Sequence, residues 1–373
     1  MKINTKLISI VFSLLVFIMF VSCQKQKSEW KGTIEEENGI TVVKNPKEPM
    51  YGEEVFILEE ELSIGVAEGK KEYMFSEIRD ITVDEDERIY VSDQIESHVK
   101  VFNKNGEYLR TIGRKGQGPG ELNYPTYISI THQNELMVNA GNRSLSFFTL
   151  DGAHVSSLSL AKIFTGRADI NSKGNIIIHS YKRVPPNTIY ELKMYDSTLN
   201  FILTYGSCSI PSGTIRESYP FRPFFWWQIA NNDNIVFGYP KTYEIQILNS
   251  EGKVIKRILR EYDPVEVTQE EKEEYMKDYE KGHKFYFPQY HPAYRWFILD
   301  DEGRIYVRTF EKIEDGNGYY NDIFDSKGRY LVKIPLRSTP RVLKKNKLYT
   351  IEEDEEGFQM VKRYKVIWEN LAN

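Results

Sequence analysis

Arginine and aromatic residues are concentrated in the long segments that separate short apolar stretches of this sequence. A planar guanidinium group pairs with carboxylates and phosphates, and a flat aromatic ring stacks on sugar rings or peptide side chains. This combination predicts a binding surface for a glycan, a peptide or a partner protein. The candidate ligand-binding residues are Arg114, Tyr124, Arg143, Arg183, Arg222, Trp226, Trp227, His291, Arg295 and Trp296.

The large aromatic residues in this set have a second interpretation. Rings of this size also fill the interfaces between packed sheets, so Trp226 and Trp296 could serve the core instead of a ligand. The sequence leaves both interpretations open for each single residue.

Signals for catalysis and metal binding are weak in the sequence. It contains six histidines, and no two of them stand at the spacing of metal ligands within one element. The sequence also lacks a nucleophile elbow and a phosphate-binding loop. We therefore expect no catalytic residues, no metal and no cofactor.

Composition narrows the class of protein further. The 373 residues carry a formal net charge of -5 with both signs interspersed, so a nucleic-acid partner is not expected. The 25 tyrosines and 20 phenylalanines favour strands over helices. Only two cysteines occur, Cys23 and Cys208, which excludes a disulfide scaffold.

The N-terminus has the pattern of an export signal. Lys2 and Lys6 precede an apolar run at residues 7–21 that ends in the small residue Ser22 and then Cys23. A cysteine at this point resembles the lipoprotein box of bacteria, although Phe20 stands where leucine is usual. We expect a signal peptide at residues 1–22 and a lipid anchor on Cys23; the alternative is an ordinary signal peptide with an incidental cysteine.

The elements that would position the candidate residues are short strands. Residues 78–125 alternate between apolar stretches and turn formers, which predicts strands near 78–83, 89–91, 99–102 and 108–112. A single meander of four strands cannot bury its faces alone, so copies are expected. Five further units follow, and their second strands begin near residues 136, 176, 235, 305 and 348.

The last unit is one strand short, and residues 54–65 supply an unpartnered strand near the start of the chain. Pairing the two would close a ring and remove exposed sheet edges. The predicted fold is therefore all-β: a six-bladed β-propeller of four-stranded antiparallel blades, closed by the N-terminal strand. We assign residues 23–50 to a tether and a hairpin, and residues 51–373 to the propeller.

One unit also resembles a known family. Residues 112–125, IGRKGQGPGELNYP, and the strands that begin at Tyr90 and Val99 resemble NHL-type propellers, whose blades are joined by a glycine-rich loop that ends in proline. With the N-terminal pattern, the chain is similar to six-bladed β-propeller lipoproteins common in Bacteroidota. This resemblance implies a fold and a place in the cell envelope, either periplasm or outer membrane, but no activity.

The connections predict which face of the propeller binds. Turns within hairpins are short, whereas the connections on the opposite face are long, at residues 113–124, 181–188, 206–225, 260–293 and 311–318. Residues 268–282 of this face predict a helix, with a capping box from Thr268 to Glu271 and Gly282 at the end. This helix could cover the central channel or simply rest on the rim.

Binding functions concentrate in long connections on a rigid scaffold. We therefore expect a lipid-anchored, non-enzymatic recognition propeller that binds a glycan, a peptide or an envelope protein on its long-loop face. The alternative is an envelope hydrolase or lyase with its site over the central channel.

Overall fold

The computed structural model describes residues 29–141, 144–163, 165–214 and 216–369. Six four-stranded antiparallel sheets surround a common axis, so the predicted six-bladed propeller is confirmed. No helix in these ranges is both long and apolar enough to cross a membrane. The predicted signal peptide and Cys23 lie outside the described residues.

The first half of the chain forms blades one to three. Their strands, with the three that precede them, are β1 (Thr33–Glu37), β2 (Ile40–Asn45), β3 (Phe56–Ile64), β4 (Ile78–Val83), β5 (Ile89–Asp93), β6 (His98–Phe102), β7 (Tyr108–Ile112), β8 (Pro125–Ile130), β9 (Glu135–Ala140), β10 (Ser144–Thr149), β11 (His154–Ser159), β12 (Thr165–Ile170), β13 (Ile176–Val184), β14 (Asn187–Tyr195) and β15 (Phe201–Pro211). Blade one is β4–β7, blade two β8–β11 and blade three β12–β15.

The second half forms blades four to six. Its elements are β16 (Glu217–Ser218), β17 (Trp226–Ile229), β18 (Ile235–Gly238), β19 (Glu244–Leu248), β20 (Val254–Arg260), α1 (Gln269–Met276), β21 (Lys284–Phe285), β22 (Trp296–Leu299), β23 (Ile305–Lys312), β24 (Tyr319–Phe324), β25 (Tyr330–Leu336), β26 (Thr339–Lys344), β27 (Lys347–Glu353) and β28 (Gln359–Trp368). Blade four contains β17–β20, blade five β22–β25 and blade six β26–β28 with β3. Short 3-10 turns lie at Glu53–Val55 and Lys71–Tyr73.

The second strand of a blade lies between its own neighbours and the faces of adjacent blades. All five residues of β5 are buried for this reason, and Ile89, Tyr90 and Val91 have no exposed surface. Apolar runs without polar alternation are expected where both faces of a strand are covered. The core is therefore a series of clusters between blades.

The tight hairpin turns share one side-chain device. In the β6–β7 turn, the Asn103 side-chain oxygen accepts hydrogen bonds from the backbone N–H groups of Asn105 and Glu107, both at 2.9 Å. Asn and Asp are favoured in turns because their short side chains satisfy backbone donors in this way. The same i+2 and i+4 pattern recurs at Asp84, Asn171, Asp196, Asn249, Asp300, Asp325 and Asp354.

The ring closes as the sequence predicts. Strand β3 pairs antiparallel with β28, from Phe56 opposite Trp368 to Ile64 opposite Val361, and completes blade six. The backbone N–H of Ile78 then donates to the Gln359 side chain at 2.6 Å, which ties the start of blade one to the last strand. Closure thus depends on segments about 300 residues apart in sequence.

The N-terminal hairpin adds to blade four. Strands β1 and β2 turn at Asn38 and Gly39 as predicted, and β2 then pairs in parallel with β20, which makes a six-stranded sheet. Asn45 at the end of β2 is 3% exposed. Its side chain donates to the carbonyls of Leu259 and Gly328 and accepts from the backbone N–H of Tyr330 at 2.7 Å, so it joins blades four and five.

Two predictions on the long-loop face are wrong in detail. Residues 181–188 are not a loop, because β13 and β14 continue to Val184 and from Asn187 as a projecting ribbon. Helix α1 has the predicted capping box but ends at Met276, six residues before Gly282. The segment after α1 turns back, and its short strand β21 pairs with β16 from the preceding connection.

Candidate functional site in the central channel

The inner strands of all six blades surround one cavity of about 1640 Å³. These strands are β4, β8, β12, β17, β22 and β26, and each begins at the long-loop face and ends at a hairpin turn. A concave space of this size, lined by polar and aromatic groups, is the default location for a ligand. We therefore describe its wall residue by residue.

Strand register arranges the wall in two layers. Every second residue of an inner strand faces the cavity, since side chains alternate along a strand. The layer nearer the long-loop face, called the upper ring, consists of Asp80, Tyr127, Arg167, Trp226, Trp296 and Thr339. The layer nearer the hairpin turns, called the lower ring, consists of Thr82, Ser129, Asp169, Gln228, Ile298 and Val342.

Four inner strands contain a β-bulge on this wall. The pairing of inner and second strand skips Arg79 in blade one, Thr126 in blade two, Gly166 in blade three and Arg341 in blade six. A bulge adds an unpaired residue and redirects its side chain, and bulges are common beside functional sites. Two of the four skipped residues are arginines.

Arg79 and Arg341 differ from most arginines of this protein. Both are exposed, both line the cavity, and neither has a hydrogen bond or an ion pair with any described residue. By contrast, Arg88, Arg304 and Arg329 each bind a turn aspartate at 2.6–2.7 Å. The two bulged arginines thus present guanidinium groups to the cavity that no hydrogen bond or ion pair holds, and the charge of Arg341 also acts on Asp80.

Two tryptophans form the aromatic part of the wall. The rings of Trp226 and Trp296, on neighbouring blades, have centroids 6.3 Å apart and planes inclined by 44°. Both are partly buried and line the cavity, so part of each indole remains open to it. The Arg167 guanidinium lies 5.7 Å from the Trp226 ring on the side toward blade three.

Polar side chains of the two rings also join neighbouring blades. Asp80 accepts from the backbone N–H of Ile128 at 3.0 Å, and Asp169 accepts from the Tyr127 and Ser129 hydroxyls at 2.9 and 3.1 Å. Arg167 donates to the Tyr127 oxygen at 2.9 Å. These residues are held in fixed positions because each bond crosses from one blade to the next.

Burial shifts the acid–base behaviour of the wall. Desolvation raises the pKa of Asp80 to about 6, although the Ile128 hydrogen bond and the charge of Arg341 oppose the shift. Desolvation, together with the negative charges of Asp169 and Asp80, raises the pKa of Tyr127 well above its usual range. The phenol therefore remains neutral, while Asp80 changes its charge near pH 6.

The structure brings only two of the predicted site residues, Trp226 and Trp296, to this cavity. Trp227 points the other way and belongs to the core between blades three and four, with 2% of its surface exposed. The alternation along β17 separates the two neighbouring tryptophans, so Trp227 has no access to a ligand in the channel.

Three predicted residues lie on surface loops outside the cavity. Arg114 pairs with Glu121 of its own loop at 3.1 Å, and Arg222 donates to the Pro211 carbonyl at 2.6 Å. Tyr124 is 47% exposed beside Lys115. The bonds of Arg114 and Arg222 are local and stabilise these connections.

Two other predicted arginines are separated from the channel or not described. Arg183 lies exposed near the tip of the β13–β14 ribbon and has no partner among the described residues. Arg143 lies outside the described residues. The ribbon projects from blade three, so Arg183 does not line the cavity.

His291 is buried in the long connection that follows blade four, and Arg295 is half-buried against aromatic rings of blade five. His291 is 6% exposed, stacks on Phe310 with centroids 4.3 Å apart, and contacts a Glu271 carboxylate oxygen of α1 at 3.1 Å. The Arg295 guanidinium lies 3.8 Å from the Tyr319 ring. No residue of α1 lines the central cavity; the helix packs on the connection around it, where Tyr275 contacts Phe221 and Phe287.

Sequence reasoning missed the charged residues of the wall, Arg79, Asp80, Arg167 and Arg341. A signal was available for Asp80 and Arg167, because each stands three residues before the last apolar residue of a first strand, on the face opposite to that residue. Aligning the six first strands would have placed Asp80, Tyr127 and Arg167 in one row. The bulges that position Arg79 and Arg341 leave no such pattern.

Metal ligands are not assembled anywhere in the described ranges. No group of three or more His, Cys, Asp or Glu side chains there could hold an ion. Cys208 is buried and free, and desolvation raises the pKa of its thiol to about 11. A thiol in this state is a packing group and a poor nucleophile.

Comparison with known families supports the architecture. The DUF5128 family model, described as a six-bladed β-propeller, matches residues 66–209, which span the first three blades. No curated protein sequence matches the chain significantly.

Solved structures are similar in fold at low sequence identity. A predicted exported protein from Bacteroides fragilis NCTC 9343 is 12% identical, with a TM-score of 0.57 over 87% of this chain and 99% of its own. A member of the DUF4221 family from Bacteroides vulgatus ATCC 8482 is 11% identical, with a TM-score of 0.52 over 84% and 99%. A gluconolactonase from Xanthomonas campestris has a TM-score of only 0.43 at 12% identity, over 77% and 85%. At such identities the likeness extends to the fold alone.

Proposed function

We propose that this protein is a non-enzymatic recognition propeller of the bacterial cell envelope, which binds its ligand at the long-loop end of the central channel. A glycan, a peptide or a partner protein is the expected class of ligand. One observation carries the proposal: two exposed arginines without a hydrogen bond or an ion pair to a described residue, Arg79 and Arg341, share a cavity wall with the open faces of Trp226 and Trp296.

This wall has the features of a preorganised site. Inter-blade hydrogen bonds fix the neighbouring Asp80 and Tyr127, and pairing within the blades fixes the backbone that carries the two arginines. The two arginine side chains form no hydrogen bond or ion pair with described residues, so a bound anion must order them, and the planar guanidinium fork limits that cost for each hydrogen bond formed. The aromatic faces supply contact area at low conformational cost.

The envelope location rests on the N-terminal sequence pattern that ends at Cys23. A lipid on this cysteine would tether the propeller to a membrane surface by way of residues 24–29. Expression of the full chain with Cys23→Ser tests this proposal. We expect the wild-type protein in the membrane fraction and the variant in the soluble envelope fraction; equal membrane association of both would contradict the anchor.

The binding function is tested by thermal unfolding in the presence of envelope glycans, peptides and divalent ions. A ligand that binds only the folded state raises the unfolding midpoint. We expect a rise with one ligand class, lost in the double variant Trp226→Ala/Trp296→Ala and retained in Phe201→Ala, which removes an exposed ring (58%) from the outer strand β15.

Recovery of the bound compound separates recognition from catalysis. After prolonged incubation, mass spectrometry should find the compound unchanged. Steady conversion to a hydrolysed or eliminated product would replace the recognition proposal with the envelope hydrolase or lyase. Ligand binding that survives loss of both tryptophans would move the site away from the channel.

A further inference from the structure

We infer that the channel site is specific for an acidic saccharide, with Arg79 and Arg341 binding a sugar carboxylate and Trp226 and Trp296 stacking on a sugar ring. This inference rests on the proposed function and names the ligand class of the same site. It follows from three properties of the wall: its free charges, its aromatic faces and its unpartnered hydroxyl and amide groups.

The free charges favour an anion. Blades six and one are neighbours in the closed ring, so Arg341 and Arg79 approach the cavity from adjacent inner strands. The carboxylate of Asp169 is already occupied by two hydroxyls, and Asp80 is held by the Ile128 amide. The charge of Arg341 acts on Asp80, but neither arginine forms a hydrogen bond or an ion pair with a described residue. Since the fork of a guanidinium group matches a carboxylate, a carboxylate on the ligand would supply that hydrogen-bonded partner.

The aromatic faces favour a ring. Trp226 and Trp296 occupy adjacent positions of the upper ring, and Trp296 lies on the blade next to the one that carries Arg341. The 44° inclination of their planes makes an open angle instead of a closed stack. A flat apolar face of a sugar can lie against an indole there while its charged substituent reaches toward blade six.

The remaining groups favour a polyhydroxylated ligand over an apolar side chain. The side-chain hydroxyls of Thr82 and Thr339 have no hydrogen-bond partner within the described ranges, and both residues line the cavity. Gln228 uses its side-chain oxygen to accept from the Leu299 N–H at 2.9 Å, which leaves its amide nitrogen as a donor. Donors and acceptors spread around a ring of this kind match sugar hydroxyls.

Isothermal titration calorimetry with a defined ligand pair tests the inference. The purified protein is titrated with tetragalacturonate and, separately, with its fully methyl-esterified form, which has the same rings without the charge. We expect the acid to bind at least about tenfold more tightly than the ester. Its affinity should also fall as salt concentration rises, because screening weakens an accessible charge pair.

Variants assign the two parts of the site. Arg79→Ala and Arg341→Ala should each weaken binding of the acid about tenfold or more, and neither should change binding of the ester. Trp226→Ala should weaken both ligands. Arg110→Ala is the matched control, because Arg110 is an outer-strand arginine that already pairs with Asp151 at 2.6 Å; it should leave both affinities unchanged.

Four results would overturn the inference. Equal affinity for acid and ester, or unchanged binding of the acid in both arginine variants, would exclude carboxylate recognition. Binding of a peptide with a free carboxyl terminus, lost on amidation and absent for the uronate, would assign the arginines to a peptide. Failure of both uronates to bind would reject an acidic saccharide of this type, while a tryptophan-dependent rise with any other ligand would leave the recognition function standing.

Discussion

The Asp80 carboxylate and the backbone N–H of Ile128 lie 3.0 Å apart and join the inner strands of blades one and two. The same carboxylate lines the central cavity, where desolvation raises its pKa to about 6 from 3.8. Asp80 thus combines a structural bond with a charge that responds to mildly acidic pH.

The raised pKa of Asp80 predicts that the free energy of unfolding depends on pH. Between about pH 4 and 6 the native state holds a proton on Asp80 that the unfolded chain has lost, so the free energy of unfolding falls as pH rises through this window. Asp80→Asn keeps an acceptor for Ile128 and removes the titration, so it should be more stable than wild type above pH 6 by about 1–2 kcal/mol. Urea unfolding at pH 4, 5, 6 and 7.5 measures this effect. Asp151→Asn, an exposed control, should retain the wild-type slope, and an unchanged slope in Asp80→Asn would contradict the prediction.

The lowered pKa of His179 predicts the opposite dependence of the free energy of unfolding on pH. It lies among Tyr190, Phe224 and Phe225, and burial, followed by the charge of Arg167, lowers its pKa to about 4 from 6.5. The unfolded state binds a proton here first, so stability is lost as pH falls from 6.5 toward 4.

Replacing His179 should reduce the stability that the protein loses at acidic pH. His179→Phe fits the aromatic surroundings and cannot be protonated, so it should recover about 2–3 kcal/mol of the stability that wild type loses between pH 7 and pH 4.5. Unfolding curves at the two pH values provide the measurement. His132→Gln, at an exposed histidine, serves as the control and should behave as wild type; identical acid sensitivity of His179→Phe and wild type would refute the assignment.

The hydrogen bonds of Asn45 predict that replacing it with a residue of nearly the same size and shape destabilises the protein. Its amide nitrogen donates to the Leu259 and Gly328 carbonyls at 3.0 and 2.9 Å. Asn45→Asp would place a carboxylate against two carbonyl oxygens in a buried site, so we expect a loss of about 2–4 kcal/mol at pH 7. Denaturant unfolding measures it, with Lys44→Ala as the control, since Lys44 forms only exposed ion pairs, which contribute little to stability. Equal stability of both variants would show that Asn45 is dispensable.

Ring closure predicts that the cost of truncating a side chain of β3 depends on its burial. Ile64 is 1% exposed and packs against blade one, whereas Ile57 of the same strand is 36% exposed. Ile64→Ala should destabilise the protein by about 2–4 kcal/mol and Ile57→Ala by less than about 1 kcal/mol. Urea unfolding of the two variants compares the same truncation at a buried and at an exposed position of one strand. Similar small losses would mean that β3 contributes little to the closure of blade six.

The candidate site was only partly predictable from the sequence. Trp226 and Trp296 stand out by residue type, and the structure places both in the cavity wall. Trp227 has the same type but faces the core, which follows from a single step of strand alternation. Arg114 and Arg222 could not be distinguished from ligand-binding arginines, because their partners, Glu121 and the Pro211 carbonyl, are set by loop conformation.

What the sequence by itself determined was the set of local patterns: six units, their hairpin turns, the capping box of α1, and the strand at residues 54–65 that lacks a partner until it closes blade six. Alternation, turn chemistry and caps involve residues close in sequence, so they are legible without the fold. Only the tertiary structure decided that β2 joins blade four, that bulges direct Arg79 and Arg341 into the channel, and that His291 lies beneath α1. These outcomes depend on register and on contacts between distant segments, where many pairings satisfy the same local pattern and packing selects one.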